Sequence, residues 1–137
     1  MAFVTSKSGD NPLDQVDDGM YEAEVTEFQE VENKFKGQLF NPNKEEGEDN
    51  RRNPYETQYE FDFTLTSEGV TSKVWANPTT GERSKLRKIA KALGAWEARE
   101  INGEVVEGFD DSRENMVGRQ CRVLVEGGRI SNFLRSK

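Results

Sequence analysis

The residues in this sequence that could act on a ligand are aromatic and cationic rather than catalytic. Lys73 and Trp75 share a parity within the alternating run Val70–Asn77. Arg122 alternates with Cys121 and Val123, and Phe133 and Arg135 share a parity near the C-terminus. Arg51, Arg52 and Tyr55 close a stretch punctuated by Gly37, Pro42, Gly47 and Pro54. Cations beside flat rings supply what a single-stranded polynucleotide requires: countercharge for its phosphates and faces on which its bases stack. Two orientations stay open for Trp75, outward beside Lys73 as a platform or inward as part of a core.

Other chemistries find little support. The sequence has no histidine, which removes the usual general base, the histidine-dependent nucleophile constellations and the commonest transition-metal ligand. Cys121 is the single cysteine, so neither an intrachain disulfide nor a cysteine-cluster zinc site can form. Its alternation with Val123 and Val125 predicts a buried, inert thiol. No phosphate-binding glycine loop and no G-x-S-x-G elbow occurs, and Gly81–Lys85 lacks the length and the second glycine of a phosphate loop. Asp14, Asp17 and Asp18 offer too few ligands at the right offsets for a calcium loop. Asp110, Asp111 and Glu114 could hold Mg²⁺ for a nuclease, but no second carboxylate set accompanies them, and acids at that spacing favour the start of a short helix. The expectation is a chain with no catalytic residue, no metal and no cofactor.

The elements that must position these residues are legible in the hydrophobic periods. Met20–Val31, Gln58–Thr66 and Val70–Asn77 alternate as half-buried strands. In the first, the phase set by Tyr21, Ala23 and Val25 slips at Phe28 and Val31, which requires a bulge. Tyr59, Phe61, Phe63 and Leu65 form the cleanest two-residue period and predict a core-facing aromatic row. Ser84 caps a helix whose Leu86, Ile89, Ala90 and Leu93 form one apolar stripe, with Gly94 at its end. Arg83, Lys85, Arg87, Lys88 and Lys91 fill its other faces, as a solvated surface or a phosphate contact. Ala95–Asn115 reads as a connector with a candidate hairpin at Ile101–Val105, and Asp110–Met116 as a short helical turn. Cys121–Val125, a Gly127-Gly128 turn and Ile130–Arg135 complete the series.

The order β-β-β-α-β-β predicts an all-β, five-stranded OB-like Greek-key barrel with one helix between strands three and four. Residues 1–18 carry no period and read as a flexible acidic arm, leaving residues 19–137 as the domain. Within it, residues 36–55 read as a loop long enough to be either functional or disordered, placed between strands one and two where such barrels carry a binding loop.

Charge is distributed unevenly. The net charge of -7 arises from 17 acidic and 6 basic side chains in residues 1–69, against 9 and 13 in residues 70–137. The later half therefore carries the cations that a polyanion would meet. No apolar run approaches the ~18 residues of a membrane span, and the first ten residues lack the basic-then-apolar order of a signal peptide. The expected location is cytoplasmic, without a membrane partner.

Taken together, several stretches resemble the small OB-fold single-stranded-DNA-binding proteins of tailed phages and related mobile elements. They are Gly19–Val25, Tyr59–Phe63, Val74-Trp75, Ser84–Gly94, Gly108–Asp111, Val117–Val125 and Ile130–Phe133. The resemblance is a diffuse pattern over residues 19–135. It implies sequence-tolerant binding of single-stranded DNA in replication or recombination inside a bacterial host cell, and it supplies no catalytic residue. Many such proteins end in an acidic tail that recruits replication enzymes, whereas this sequence ends Leu134-Arg135-Ser136-Lys137. Recruitment of replication or recombination proteins would then fall to the acidic N-terminal segment or to Glu45–Asp49. The rival reading is an OB-like protein-interaction module without nucleic-acid binding. The expected binding set is Arg51, Arg52, Tyr55, Lys73, Trp75, Arg122, Phe133 and Arg135.

Overall fold

Alternation in three early runs and two late ones produces one curled antiparallel sheet. The structure is a computed structural model describing residues 11–136. Strands β1 (Gly19–Glu32), β2 (Thr57–Leu65) and β3 (Val70–Ala76) precede helix α1 (Lys85–Ala92). A separate hairpin, β4 (Glu97–Ile101) and β5 (Glu104–Gly108), and a short helix α2 (Arg113–Met116) lead to β6 (Gln120–Glu126) and β7 (Arg129–Arg135). The sheet order β3-β2-β1-β6-β7 gives an all-β, OB-like half-barrel with β3 and β7 at its edges.

The phase slip in β1 is a bulge. Val25 pairs with Phe63 and Glu27 with Asp62, so Thr26 is the extra residue. It lets Ala23, Val25 and then Phe28 all face inward despite their broken spacing, and it bends the strand so that one end pairs with β6 and the other with β2. The inward row of β2 lands as its period predicts, with Phe61, Phe63 and Leu65 fully buried. Ring contacts run through the core: Phe28 meets Tyr59 (5.5 Å) and Phe61 (4.9 Å), Phe61 meets Phe63 (5.7 Å), and Phe63 meets Phe133 (5.5 Å). Each such phenylalanine buried contributes about 1.5–3 kcal/mol.

Helix α1 lies where its stripe predicts. Ser84 Oγ accepts from the Arg87 N–H at 3.2 Å as the N-cap, and Leu86, Ile89 and Ala90 are buried. Asn102-Gly103 turns the β4–β5 hairpin, and α2 occupies the expected Asp110–Met116 turn. Cys121 is fully buried in β6, and burial pushes its thiol up to about 12.

One expectation meets a different structure. Of the supposed flexible arm, residues 1–10 and their Phe3 and Val4 lie outside the described residues. Residues 11–18, however, are docked. Asn11 caps a 3-10 turn at Pro12–Gln15, which inserts Leu13 (0% exposed) into the core and packs against β3. Asn11 Nδ2 donates to Gly128 O (2.9 Å), and the Gly127 N–H donates to Asp18 Oδ1 (3.0 Å). The Gly127-Gly128 turn thus serves two purposes. Both residues have positive φ, as a two-residue hairpin needs, and a Cβ on Gly128 would sit 2.7 Å from Asp14 Oδ1.

Loop 36–55 is braced by side-chain carboxamides. Asn50, 5% exposed, donates through Nδ2 to the carbonyls of Asn41, Lys44 and Glu45, and its Oδ1 accepts from the Asn41 N–H. Asn33 and Asn53 are buried against each other at 2.9 Å and tie the loop base to Tyr55. These carboxamides satisfy backbone groups that no strand ladder reaches.

Candidate nucleic-acid interface

Directly paired residues point to the same side of a sheet. Trp75 opposes Glu60, and Lys73 opposes Asp62, so all four stand on the outer face of β2 and β3 while Phe61 and Val74 face inward. Trp75 is 44% exposed, which settles its orientation as outward. Its indole Nε1 donates to Glu60 Oε2 at 2.9 Å, tethering the edge of the ring.

Lys73 has partners of its own. Its Nζ donates to Asp62 Oδ1 at 3.0 Å and to Glu60 Oε1 at 3.2 Å. Partial burial pushes the Glu60 carboxyl up, but hydrogen bonds from Gln29, Trp75 and Lys73 outweigh it and leave the group below the ordinary carboxylate range. The hydrogen bond to Asp62 holds Lys73 above the usual lysine range. The pair network orients Trp75 and neutralises Lys73 beside it.

The long loop adds aromatics that periodicity did not single out. Phe35 and Phe40 are 55% and 53% exposed. Phe35 forms one wall of a cleft of about 350 Å³ that Val31, Glu32, Lys34, Gln58, Glu60 and Trp75 complete. On its other side Phe35 helps line a second hollow of about 360 Å³ together with Leu39, Phe40 and Asn77. Their sequence signal was phenylalanine inside a Gly-, Pro- and Asn-rich stretch, where a core role has no period to support it.

The remaining expected residues divide. Arg51 is exposed on the same loop and forms no ion pair among the described residues. Arg52 donates to Glu46 at 3.0 Å and to Gly37 O at 2.9 Å, so it braces the loop. Tyr55 is half-buried at the loop base. Arg122 stands on the same outer face but on β6, three strands from Trp75, or ~14 Å at the usual spacing. Its Nε donates to Arg135 O at 2.9 Å, and Glu22 lies opposite it. Between Arg122 and Trp75 the face carries Glu24, Glu60 and Asp62.

Phe133 was expected on the platform, but it opposes Val123, is 5% exposed and belongs to the core. Arg135 follows it on that inner side and extends past the core to Gly94, where a Cβ would lie 3.6 Å from the guanidinium. The structure therefore brings Trp75, Lys73 and the 51–55 loop to one side of the molecule, places Arg122 three strands away on that face, and separates Phe133 and Arg135 from it.

Two of the three acids, Asp110 and Asp111, do local structural work. Asp110 Oδ1 accepts from the Ser112 N–H at 3.0 Å, and Asp111 Oδ2 accepts from Tyr59 Oη at 2.8 Å. Among the described residues no group of three His, Cys, Asp or Glu side chains is placed to hold a metal ion, and no helix is long and apolar enough to cross a membrane. No protein-family model matches the chain, and neither curated proteins nor solved structures give a match.

Proposed function

We propose that the chain is a non-catalytic single-stranded-DNA-binding protein, acting in replication or recombination as the phage and mobile-element proteins it resembles do. The observation that carries this reading is Trp75, exposed on the outer β2–β3 face, anchored through Nε1 and facing Phe35 across an open cleft beside the first long loop. That face and loop are where OB-type barrels engage oligonucleotides. A ring held by a hydrogen bond at its edge offers a base a preformed stacking surface, and Phe35 supplies a second.

A protein-interaction module is the second reading, and one feature favours it. The β4–β5 hairpin stands apart from the sheet and exposes Ile101 (53%) and Val106 (41%) on one face and Val105 (73%) on the other. Apolar side chains exposed together on a ribbon mark contact surfaces more often than isolated ones do.

Anisotropy titration of labelled dT and rU oligomers at two salt concentrations separates the readings. Binding that weakens with salt is expected, and Trp75→Ala should cost about 1–3 kcal/mol of it, the usual effect of removing one stacking platform. Circular dichroism confirms that the variant folds. A parent protein that binds neither oligomer at low salt contradicts the proposal and leaves the interaction module.

A further inference from the structure

The stacking face has few free cations, yet an unpaired set lies elsewhere. Helix α1 presents Lys88 and Lys91 on the side opposite its buried Leu86, Ile89 and Leu93. With Arg83 before the helix and Arg135 from β7, they line an open hollow of about 590 Å³ whose floor includes Ala92 and Leu134. None of these four cations forms an ion pair among the described residues. Arg87, the fifth, is committed: it stacks over Trp96 at 4.7 Å and lies 3.7 Å from Glu107. Glu82 is the one acidic side chain lining the hollow among the described residues.

We infer that this α1–β7 groove holds the phosphate backbone of the single strand whose bases stack at Trp75. The inference rests on the proposed function and adds the site that supplies its charge. Three observations support it. Half of the cations beside Trp75 and in the long loop are spent, Lys73 on Glu60 and Asp62, Arg52 on Glu46 and Lys36 on Glu56, which leaves Lys34, Lys44 and Arg51 without ion pairs among the described residues. Four unspent cations converge on the groove, over a floor whose apolar part suits sugars and bases rather than free ions. The two places are also adjacent along the chain: β3 ends one residue after Trp75, and the connector of residues 77–84 leads directly to α1. Arg83 follows Trp75 by about eight residues, a span of at most ~30 Å. A strand occupying the upper end of the OB-type site range, ~16 nucleotides, can engage both.

The test compares the salt dependence of binding to a dT oligomer of that length in the parent, in Trp75→Ala and in the double variant Lys88→Gln/Lys91→Gln. Both lysines are exposed, so the double variant should fold. The slope of log affinity against log salt should fall by ~1.4 in the double variant, ~0.7 for each phosphate no longer neutralised, and stay unchanged in Trp75→Ala while affinity drops. If Trp75→Ala weakens binding but the double variant keeps the parent slope, the groove inference is overturned and the stacking face stands. If the parent binds no oligomer, the proposed function fails and the inference falls with it. Polyglutamate serves as a further probe: binding to it that depends on Lys88 and Lys91, without dT binding, would assign the groove to an acidic protein segment instead.

Discussion

The outer β2–β3 face and the α1–β7 groove are complementary in composition. The face carries an anchored indole and nearby phenylalanines, with its lysine neutralised by two carboxylates. The groove carries four cations without ionic partners among the described residues, and its one aromatic ring, Phe133, is buried. Such segregation has a physical reason. A lysine beside a carboxylate network orients a neighbouring ring but offers little countercharge, because exposed pairs screen each other. The acidic sheet face would repel phosphates placed along it, so a polyanion gains most where cations stand clear of Glu24, Glu60 and Asp62. Charge and stacking are then separable quantities, and a variant in one region should leave the other's signature intact.

The largest effects should come from residues that support both regions while touching no ligand. Phe133 lies under the groove against Phe63, and Leu13 packs beneath the β3 side of the sheet. Phe133→Ala should cost about 3–5 kcal/mol and Leu13→Ala about 2–5 kcal/mol in chemical denaturation, the range for large-to-small changes in a close-packed core. A Phe133→Ala protein of parental stability but weakened DNA binding would break the comparison, since it would return that ring to the binding surface. An unaffected Leu13→Ala would mean that residues 11–18 contribute nothing to the core.

A smaller effect concerns the network that orients Trp75. Glu60 has a folded-state pKa below its ordinary value, so its contribution is fully present above the ordinary carboxylate range and is lost as pH falls through the lower, folded value. Lys73 is shifted upward and stays charged throughout that window. Acidification to below the ordinary carboxylate range should therefore release the indole, seen as a shift of tryptophan emission that Glu60→Gln reproduces at neutral pH. Emission indifferent to both changes would show that Trp75 is held by packing alone.

What the residue pattern revealed and what it concealed follow one rule: periodicity reports which residues share a face, and turn chemistry reports where a face ends. The slip between Val25 and Phe28, the stripe of α1 and the Asn102-Gly103 hairpin were legible on that basis. Lys73 and Trp75 were legible as neighbours because alternation in β3 is strict. Phe133 was not, because β7 offers Phe133 and Leu134 side by side, and parity alone cannot say which of two adjacent apolar residues points inward. Leu13 escaped because one buried leucine in a 3-10 turn has no period; its signal was Asn11-Pro12, a cap followed by proline. The bracing of loop 36–55 by the buried carboxamides of Asn33, Asn50 and Asn53 escaped because their partners, mostly backbone groups, are not revealed by spacing. Arg135 needed the same face assignment as Phe133, and with it the groove remained hidden.

Trp75 itself provides the most direct measurement of the central claim. The chain has two tryptophans, so Trp96→Phe leaves Trp75 as the only indole emitter. Titrating that variant with unlabelled dT oligomer should quench its emission and shield it from acrylamide, saturating at the same oligomer concentration as the anisotropy change. Saturable binding by anisotropy with Trp75 emission and acrylamide access unchanged would contradict the account, because the strand would then be bound without touching the ring on which the proposed function rests.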